Sequence, residues 1–273
     1  GNVPVVVMSH GSDGITSGMF DVWAKPLLDA GYAVFMVDSF TARDIARVSG
    51  TPMQLTYNTT FGISDAIYAL KLLSDYPGID PHRIYHLGWS RGGSEVTGAM
   101  WPSYRQMITG SSSIKWAGSI ALYPGCNIRY TSATKLDGPV LYLLGGKDDM
   151  TPAVACVAEA QQLAAEGNDV TYKVYPNAYH VFDRLNQPYH KYDEGNYAKC
   201  ALEVPVPTSA RDHAPYGPAY NDATHLALIT PADFINAVHD CQRTSWITVE
   251  SDPKAREEAV KDVLAFLEKN KGD

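Results

Sequence analysis

The segment Leu87-Gly88-Trp89-Ser90-Arg91-Gly92-Gly93 sets a serine between glycines directly after the apolar run RIYHLG. A plain turn is one explanation, because Gly and Ser are common where a strand must end. The other is the pattern G-x-S-x-G, in which the serine sits on a strained strand-to-helix turn with its hydroxyl exposed. Two further stretches bear on the choice. PVLYLLG runs into GGKDDMTP, which puts Asp148 just past one apolar run, and DVTYKVY runs into PNAYHVFD, which puts His180 on the next loop. A serine hydroxyl is a weak nucleophile until an imidazole accepts its proton. The imidazole in turn needs a carboxylate to fix its tautomer and stabilise its charged form. Serine, acid and histidine, each just beyond a strand and in this order, are the parts of acyl transfer through a covalent intermediate.

Such chemistry also needs donors for a developing oxyanion. PVVVMS leads into Ser9-His10-Gly11-Ser12-Asp13-Gly14, a glycine-rich loop whose backbone can come close to a bound carbonyl. The backbone N–H groups of Ser12 and Arg91 are assigned here as the oxyanion hole, with Arg91 opening a helix whose dipole favours negative charge. His10 is read as a hydrogen-bonding residue of this loop in preference to a second base. Aromatic residues Trp89, Phe20, Tyr123, Tyr179 and Phe182 lie near these strand ends and are read as core, not as binding residues. Arg43, after the strand YAVFMVD, could grip a substrate carboxylate, but a solvated ion pair is the preferred reading.

These side chains need a scaffold that gathers strand ends. Short apolar runs alternate with amphipathic segments: PVVVMS (4–9), FDVWAKPLLDAG (20–31), YAVFMVD (32–38), ISDAIYALKLLSDY (63–76), RIYHLG (83–88) and a helix from Arg91. The alternation continues through KWAGSIALY (115–123), PVLYLLG (139–145), PAVACVAEAQQLAAEG (152–167) and DVTYKVY (169–175). Continuous apolar strands with helices between them predict a mostly parallel central sheet with helices on both faces. Gly31 and Gly167 fall where left-handed helix ends are expected, and Pro152 suits a first helical turn. From about residue 185 to 249 the periodicity fades into Pro, Asn, Tyr and Asp, which reads as an ordered insertion with short helices such as PADFINAVHDC. SDPKAREEAVKDVLAFLEKN closes the chain as an amphipathic helix.

A chain of 273 residues with 45% hydrophobic content suits one domain spanning residues 1–273. The formal charge of −8 offers no electrostatic footprint for nucleic acid or an anionic membrane surface. No apolar run is long enough to span a bilayer, and no signal peptide is visible, although a start at Gly1 directly before a strand is read as a processed one. The scattered histidines and cysteines have no metal-ligand spacing, so neither a metal nor any other cofactor is expected. The expected partner is a substrate of such acyl transfer, small or polymer-borne.

The combination of HGSDG, GYAVFMVDSFTARDI, GIDPHRIYHLGWSRGG, LLGGKDDMTPAVAC and YPNAYHVFD resembles the dienelactone hydrolase family of α/β-hydrolases. The resemblance covers residues 3 to about 183. It implies an α/β-hydrolase fold and cofactor-free hydrolysis of carboxylic esters or lactones by Ser90, Asp148 and His180. One departure is that the family's namesake uses a cysteine nucleophile, which turns the expectation from dienelactone toward a broader serine esterase. Asp148 occupies the family's acid position, three residues after Gly145. Asp149 is expected instead to accept N–H groups at the start of the following helix. A peptidase or amidase using the same triad, and a non-catalytic binding protein that kept the fold, are the alternatives.

Four cysteines are present. Cys126 follows one strand and Cys156 lies on the helix after the next, so the two are expected to pair, leaving Cys200 and Cys241 to staple the insertion. Two disulfides imply an oxidising compartment, periplasmic or secreted, with four buried thiols in the cytoplasm as the alternative. Asn58-Thr59-Thr60 is a glycosylation sequon.

Overall fold

The computed structural model describes residues 2–51, 53–56, 59–131, 135–196, 198–206, 219–221, 226–228, 236–237, 239–241 and 243–272. Its centre is a six-stranded sheet built from β1 (Val3–Ser9), β2 (Ala33–Val37), β3 (Ile79–Trp89), β4 (Gly118–Leu122), β6 (Val140–Gly145) and β7 (Val170–Tyr175). The order is β2-β1-β3-β4-β6-β7, and every pairing is parallel. Helices lie between the strands: α1 (Lys25–Asp29), continuing a π-helical turn at Met19–Ala24, then α2 (Met53–Thr56), α3 (Thr60–Ser74), α4 (Arg91–Ala99), α5 (Pro102–Thr109) and α6 (Ala153–Ala165), while α7 (Pro253–Lys269) comes after the last strand.

The period of two along each strand explains the two-sided core. In β1, Val6 and Met8 face one layer, where they join Trp23, Leu27 and the α7 residues Ala259, Val263 and Leu267. Their neighbours Val5 and Val7 face the other layer, with Leu70 of α3 and Trp116. Strands buried on both faces must be apolar throughout, which is why PVVVM and VLYLL read as continuous runs. α7 starts where Asp252 accepts the N–H of Ala255 and Pro253 takes a first-turn position. Gly31 and Gly167 adopt positive φ, 86° and 83°, as their places after helical patterns predict.

The stretch after β7 carries strands in addition to the helix expected at PADFINAVHDC. β8 (His190–Asn196) pairs antiparallel with β12 (Arg243–Val249), and β5 (Ile128–Thr131) pairs parallel with β9 (Leu202–Pro205), next to β10 (Ala219–Asn221) and β11 (Leu226–Leu228). Within 231–241, the described residues 236–237 and 239–241 are helical. β8 escaped the hydrophobic pattern because its inward residues are polar: Glu194 and Asn196 are buried. Disulfides join Cys126 to Cys156 and Cys200 to Cys241, the pairing expected from the sequence. Asn58 of the sequon lies outside the described residues. No helix among the described residues is long and apolar enough to cross a membrane.

Candidate active site

Ser90 stands on the turn between β3 and α4 with φ 53° and ψ −114°, a left-handed conformation that a non-glycine residue adopts only under constraint. The flanking glycines make this turn possible. A Cβ on Gly88 would lie 2.3 Å from the carbonyl oxygen of Gly92, and one on Gly92 would lie 2.1 Å from that of Ser9. The helix start is thus pressed against the end of β1, and any side chain at either position would push it away.

Loops from three strand ends meet at this turn. Nε2 of His180, on the loop after β7, lies 3.0 Å from Oγ of Ser90, and Nδ1 lies 2.7 Å from Oδ2 of Asp148, on the loop after β6. His180 and Asp148 are both buried, so the pair is shielded from water. The other oxygen of Asp148 accepts the N–H groups of Met150 (2.9 Å) and Thr151 (2.8 Å), which locks the carboxylate plane. The bridge between His180 and Val249 of β12 holds the histidine loop from its far side.

The loop after β1 lies against the same turn. A Cβ on Gly11 would be 3.3 Å from the carbonyl oxygen of Trp89 and 3.6 Å from Cβ of Ser90, so the loop backbone passes close to the serine turn and a side chain there would fit only tightly. Ser12 follows, its carbonyl accepting the N–H groups of Val48 (2.8 Å) and Ser49 (3.2 Å). Arg91 supplies the first N–H of α4, where the first helical bond runs from Ser94 to the Ser90 carbonyl; the leading amides of a helix have no partner within it. Nε of Arg91 also donates to Oγ of Ser12 at 3.2 Å, tying the two residues together. Nδ1 of His10 donates to the Gly11 carbonyl at 2.8 Å, and Nε2 accepts the N–H of Ser39 at 3.2 Å. Both partners require the neutral ring, and burial, the largest influence, lowers the affinity of His10 for a second proton. It is a brace of this loop, as read from the sequence.

Several contributors were not visible in the sequence. Oγ1 of Thr151 lies 2.9 Å from Oδ2 of Asp148, 3.1 Å from Nδ1 of His180 and 3.0 Å from the carbonyl oxygen of Tyr123. The Tyr123 ring packs edge-on against His180, and its hydroxyl donates to Asp183, which also accepts Nε1 of Trp23 at 2.8 Å. Asp149 departs from expectation. Asp148 takes the N–H groups near the helix start, while Asp149 accepts the backbone N–H (2.7 Å) and hydroxyl (2.8 Å) of Thr248 in β12. The reason is alternation: the side chain following Asp148 points to the opposite side, where β12 lies.

The aromatic residues divide. Trp89 and Tyr123 line the cavity in front of Ser90, Phe182 is in the core, Phe20 is exposed, and Tyr179 is half-buried beside Lys147 and Tyr189. Arg43 is held by both oxygens of Asp65, at 2.7 and 3.0 Å, the ion-pair reading. The cavity measures about 430 Å³, within the range of small-molecule sites. Its far end is polar: Asp13 accepts from Ser49 and from Arg184, and these bonds hold its carboxyl below the usual range despite burial, the largest single influence, which pushes upward.

A six-stranded parallel sheet, helices on both faces and a strained serine on the turn after its central strand β3 define the α/β-hydrolase fold. The chain belongs to the dienelactone hydrolase family, whose sequence profile matches residues 1–203. Among solved structures, a thermophilic esterase of the planctomycete Thermogutta terrifontis with butyrate bound is similar at TM-score 0.54 and 14% identity, covering 68% of this chain and 77% of that one. The same organism's esterase 2 phosphorylated by paraoxon gives TM-score 0.53 at 16% identity, covering 68% and 75%. A hyperthermophilic esterase of the archaeon Pyrobaculum calidifontis gives 0.51 at 18% identity, covering 67% and 70%. At these identities the likeness is one of fold. No curated protein matches the sequence.

Proposed function

We propose that this protein is a serine esterase that cleaves carboxylic esters through an acyl-enzyme. The observation that carries the reading is the unbroken hydrogen-bonded line from Ser90 Oγ through both ring nitrogens of His180 to Asp148 Oδ2, at 3.0 and 2.7 Å. Ser90 attacks the ester carbonyl and passes its proton to Nε2 of His180. Nδ1–H stays bonded to Asp148, which fixes the tautomer and stabilises the imidazolium. The carbonyl oxygen becomes an oxyanion held by the N–H groups of Ser12 and Arg91. Collapse breaks the bond to the alcohol oxygen, which takes the proton from His180. Water then enters, gives a proton to Nε2 and attacks the acyl carbonyl, and the acid leaves as Ser90 recovers its hydroxyl hydrogen.

Residues 1–273 act as one catalytic domain, with Gln187, His190, Tyr192, Asp193 and Glu194 of the stretch after β7 walling the cleft. Two disulfides support work in an oxidising compartment, extracellular or periplasmic, where such bonds persist. The test is hydrolysis of acyl esters graded by chain length, beside a lactone and a peptide amide: ester turnover that disappears in Ser90→Ala is expected, and amide cleavage without ester cleavage would reverse the reading.

A further inference from the structure

Glu194 of β8 lines the cavity in front of Ser90, although it stands in a segment that the sequence reading left without a role. The residue is 4% exposed. Its Oε1 accepts the N–H of Gly50 at 3.0 Å, while its Oε2 is buried with no hydrogen-bond partner among the described residues. A buried carboxylate oxygen left without a donor is costly, so its retention at a cavity wall points to a ligand that supplies the donor. Burial, and secondarily the nearby Asp13, push the Glu194 carboxyl up, as expected where solvation is poor.

The surroundings narrow the donor's chemistry. The same end of the cavity is walled by Asp13, Arg47, Arg184, His190 and Tyr192. A cationic ligand placed against Glu194 would meet Arg47 and Arg184, and an anionic one would meet Asp13 and Glu194. A neutral group carrying several hydroxyls satisfies both signs, since each hydroxyl donates once and accepts twice. A second, much smaller cavity of about 60 Å³ adjoins the same serine, bordered by Ser12, Ser90, Arg91, Gly125 and Met150. This space beside the oxyanion loop suits a short acyl group.

Building on the esterase reading, we infer that the natural substrate is a short-chain acyl ester, acetyl in size, of a polyhydroxylated alcohol such as a sugar or polyol, with one hydroxyl donating to Oε2 of Glu194. The acyl group occupies the small cavity and the alcohol the large polar one. Glu194 is thereby a specificity-determining residue. Its bond to Gly50 also steadies the loop that caps Ser12, so the role must be separated from a structural one. Glu194→Gln does this: the amide oxygen can still accept from Gly50, while an NH2 group replaces the free acceptor.

The experiment compares 6-O-acetylglucose with cyclohexylmethyl acetate, which share a ring, a methylene and an acetyl group and differ in hydroxyls and the ring oxygen. Rates are expressed per serine labelled by a fluorophosphonate, so that only folded, competent enzyme counts. The wild type should favour the sugar ester at least tenfold in kcat/KM, and Glu194→Gln, which can only donate where the carboxylate oxygen accepted, should lower that ratio severalfold. A wild-type ratio near one, or a preference kept intact in Glu194→Gln, would overturn the inference while leaving the esterase reading standing. Failure of the wild type to label at all would overturn both. A wild-type ratio near one overturns the inference even if the variant does not fold.

Discussion

Asp148 and Asp149 are neighbours in the chain and serve opposite sides of it: Oδ2 of Asp148 lies 2.7 Å from Nδ1 of His180, whereas both oxygens of Asp149 accept from Thr248 on β12. On the proposed mechanism the pair therefore separates catalysis from stability. Asp148→Asn keeps the shape but favours the wrong imidazole tautomer, and turnover should fall by about ten-thousandfold with the fold intact. Asp149→Asn should stay active and lose about 1–3 kcal/mol of stability, because a buried N–H and hydroxyl lose part of a charged acceptor. Ester kinetics and urea unfolding of the two variants, run in parallel, distinguish these outcomes; an inactive Asp149→Asn with a normal Asp148→Asn would place the histidine's partner one residue later.

Thr151 positions the acid and the base from one hydroxyl, which reaches Asp148, His180 and the Tyr123 carbonyl at once. Thr151→Val removes those bonds with little change in volume and should lower kcat roughly tenfold with KM nearly unchanged, about 1.4 kcal/mol of transition-state stabilisation. Thr151→Ser should recover most of the loss. If Ser and Val behave alike, the hydroxyl does not position the pair.

Glu159 of α6 is buried in the core, and desolvation, opposed by Arg129, pushes its carboxyl from 4.5 up to about 8. A folded-state value above the unfolded one means the native protein binds this proton more tightly. Its stabilising contribution is complete below about pH 4.5 and is lost as pH rises through about 8. Glu95 follows the same direction, also to about 8 under burial. Wild-type stability should therefore decline from pH 5 to pH 9, and Glu159→Gln should lessen that decline by on the order of a few kcal/mol. Denaturant unfolding at pH 5, 7 and 9 provides the check, and parallel pH curves for the two proteins would contradict it.

The disulfides close segments of 30 and 41 residues, between Cys126 and Cys156 and between Cys200 and Cys241. The chain-entropy account gives each about 3–4 kcal/mol. Thiol titration of the unfolded, unreduced protein should find no free thiol, and Cys126→Ser/Cys156→Ser should melt well below the wild type. Four titratable thiols would remove the basis for an oxidising compartment.

What the sequence disclosed follows a physical division. Residues fixed by local chemistry were readable: Ser90 between glycines that a tight turn demands, Asp148 and His180 just beyond apolar strands, and the parallel sheet itself, because strands buried on both faces must be apolar. Thr151, Asp183 and Glu194 were not, since each matters through partners brought near only by folding, and nothing in DDMTP or HKYDEGN announces Tyr123 or Gly50. β8 was missed for a related reason. Its inward side chains are Glu194 and Asn196, so its alternation is polar and gives no hydrophobic period. Local reasoning misplaces Asp149 because it looks to the nearest helix start for donors, whereas β12, almost a hundred residues on, supplies them.

The central claim is that Ser90 is a nucleophile activated by His180. The direct measurement is labelling of the folded protein with a fluorophosphonate, followed by mass spectrometry of its peptides. One phosphonyl group per chain, on the peptide containing Ser90 and absent in both Ser90→Ala and His180→Ala, is the predicted result. An unlabelled wild-type protein, or a label on another residue that persists in Ser90→Ala, would contradict the account.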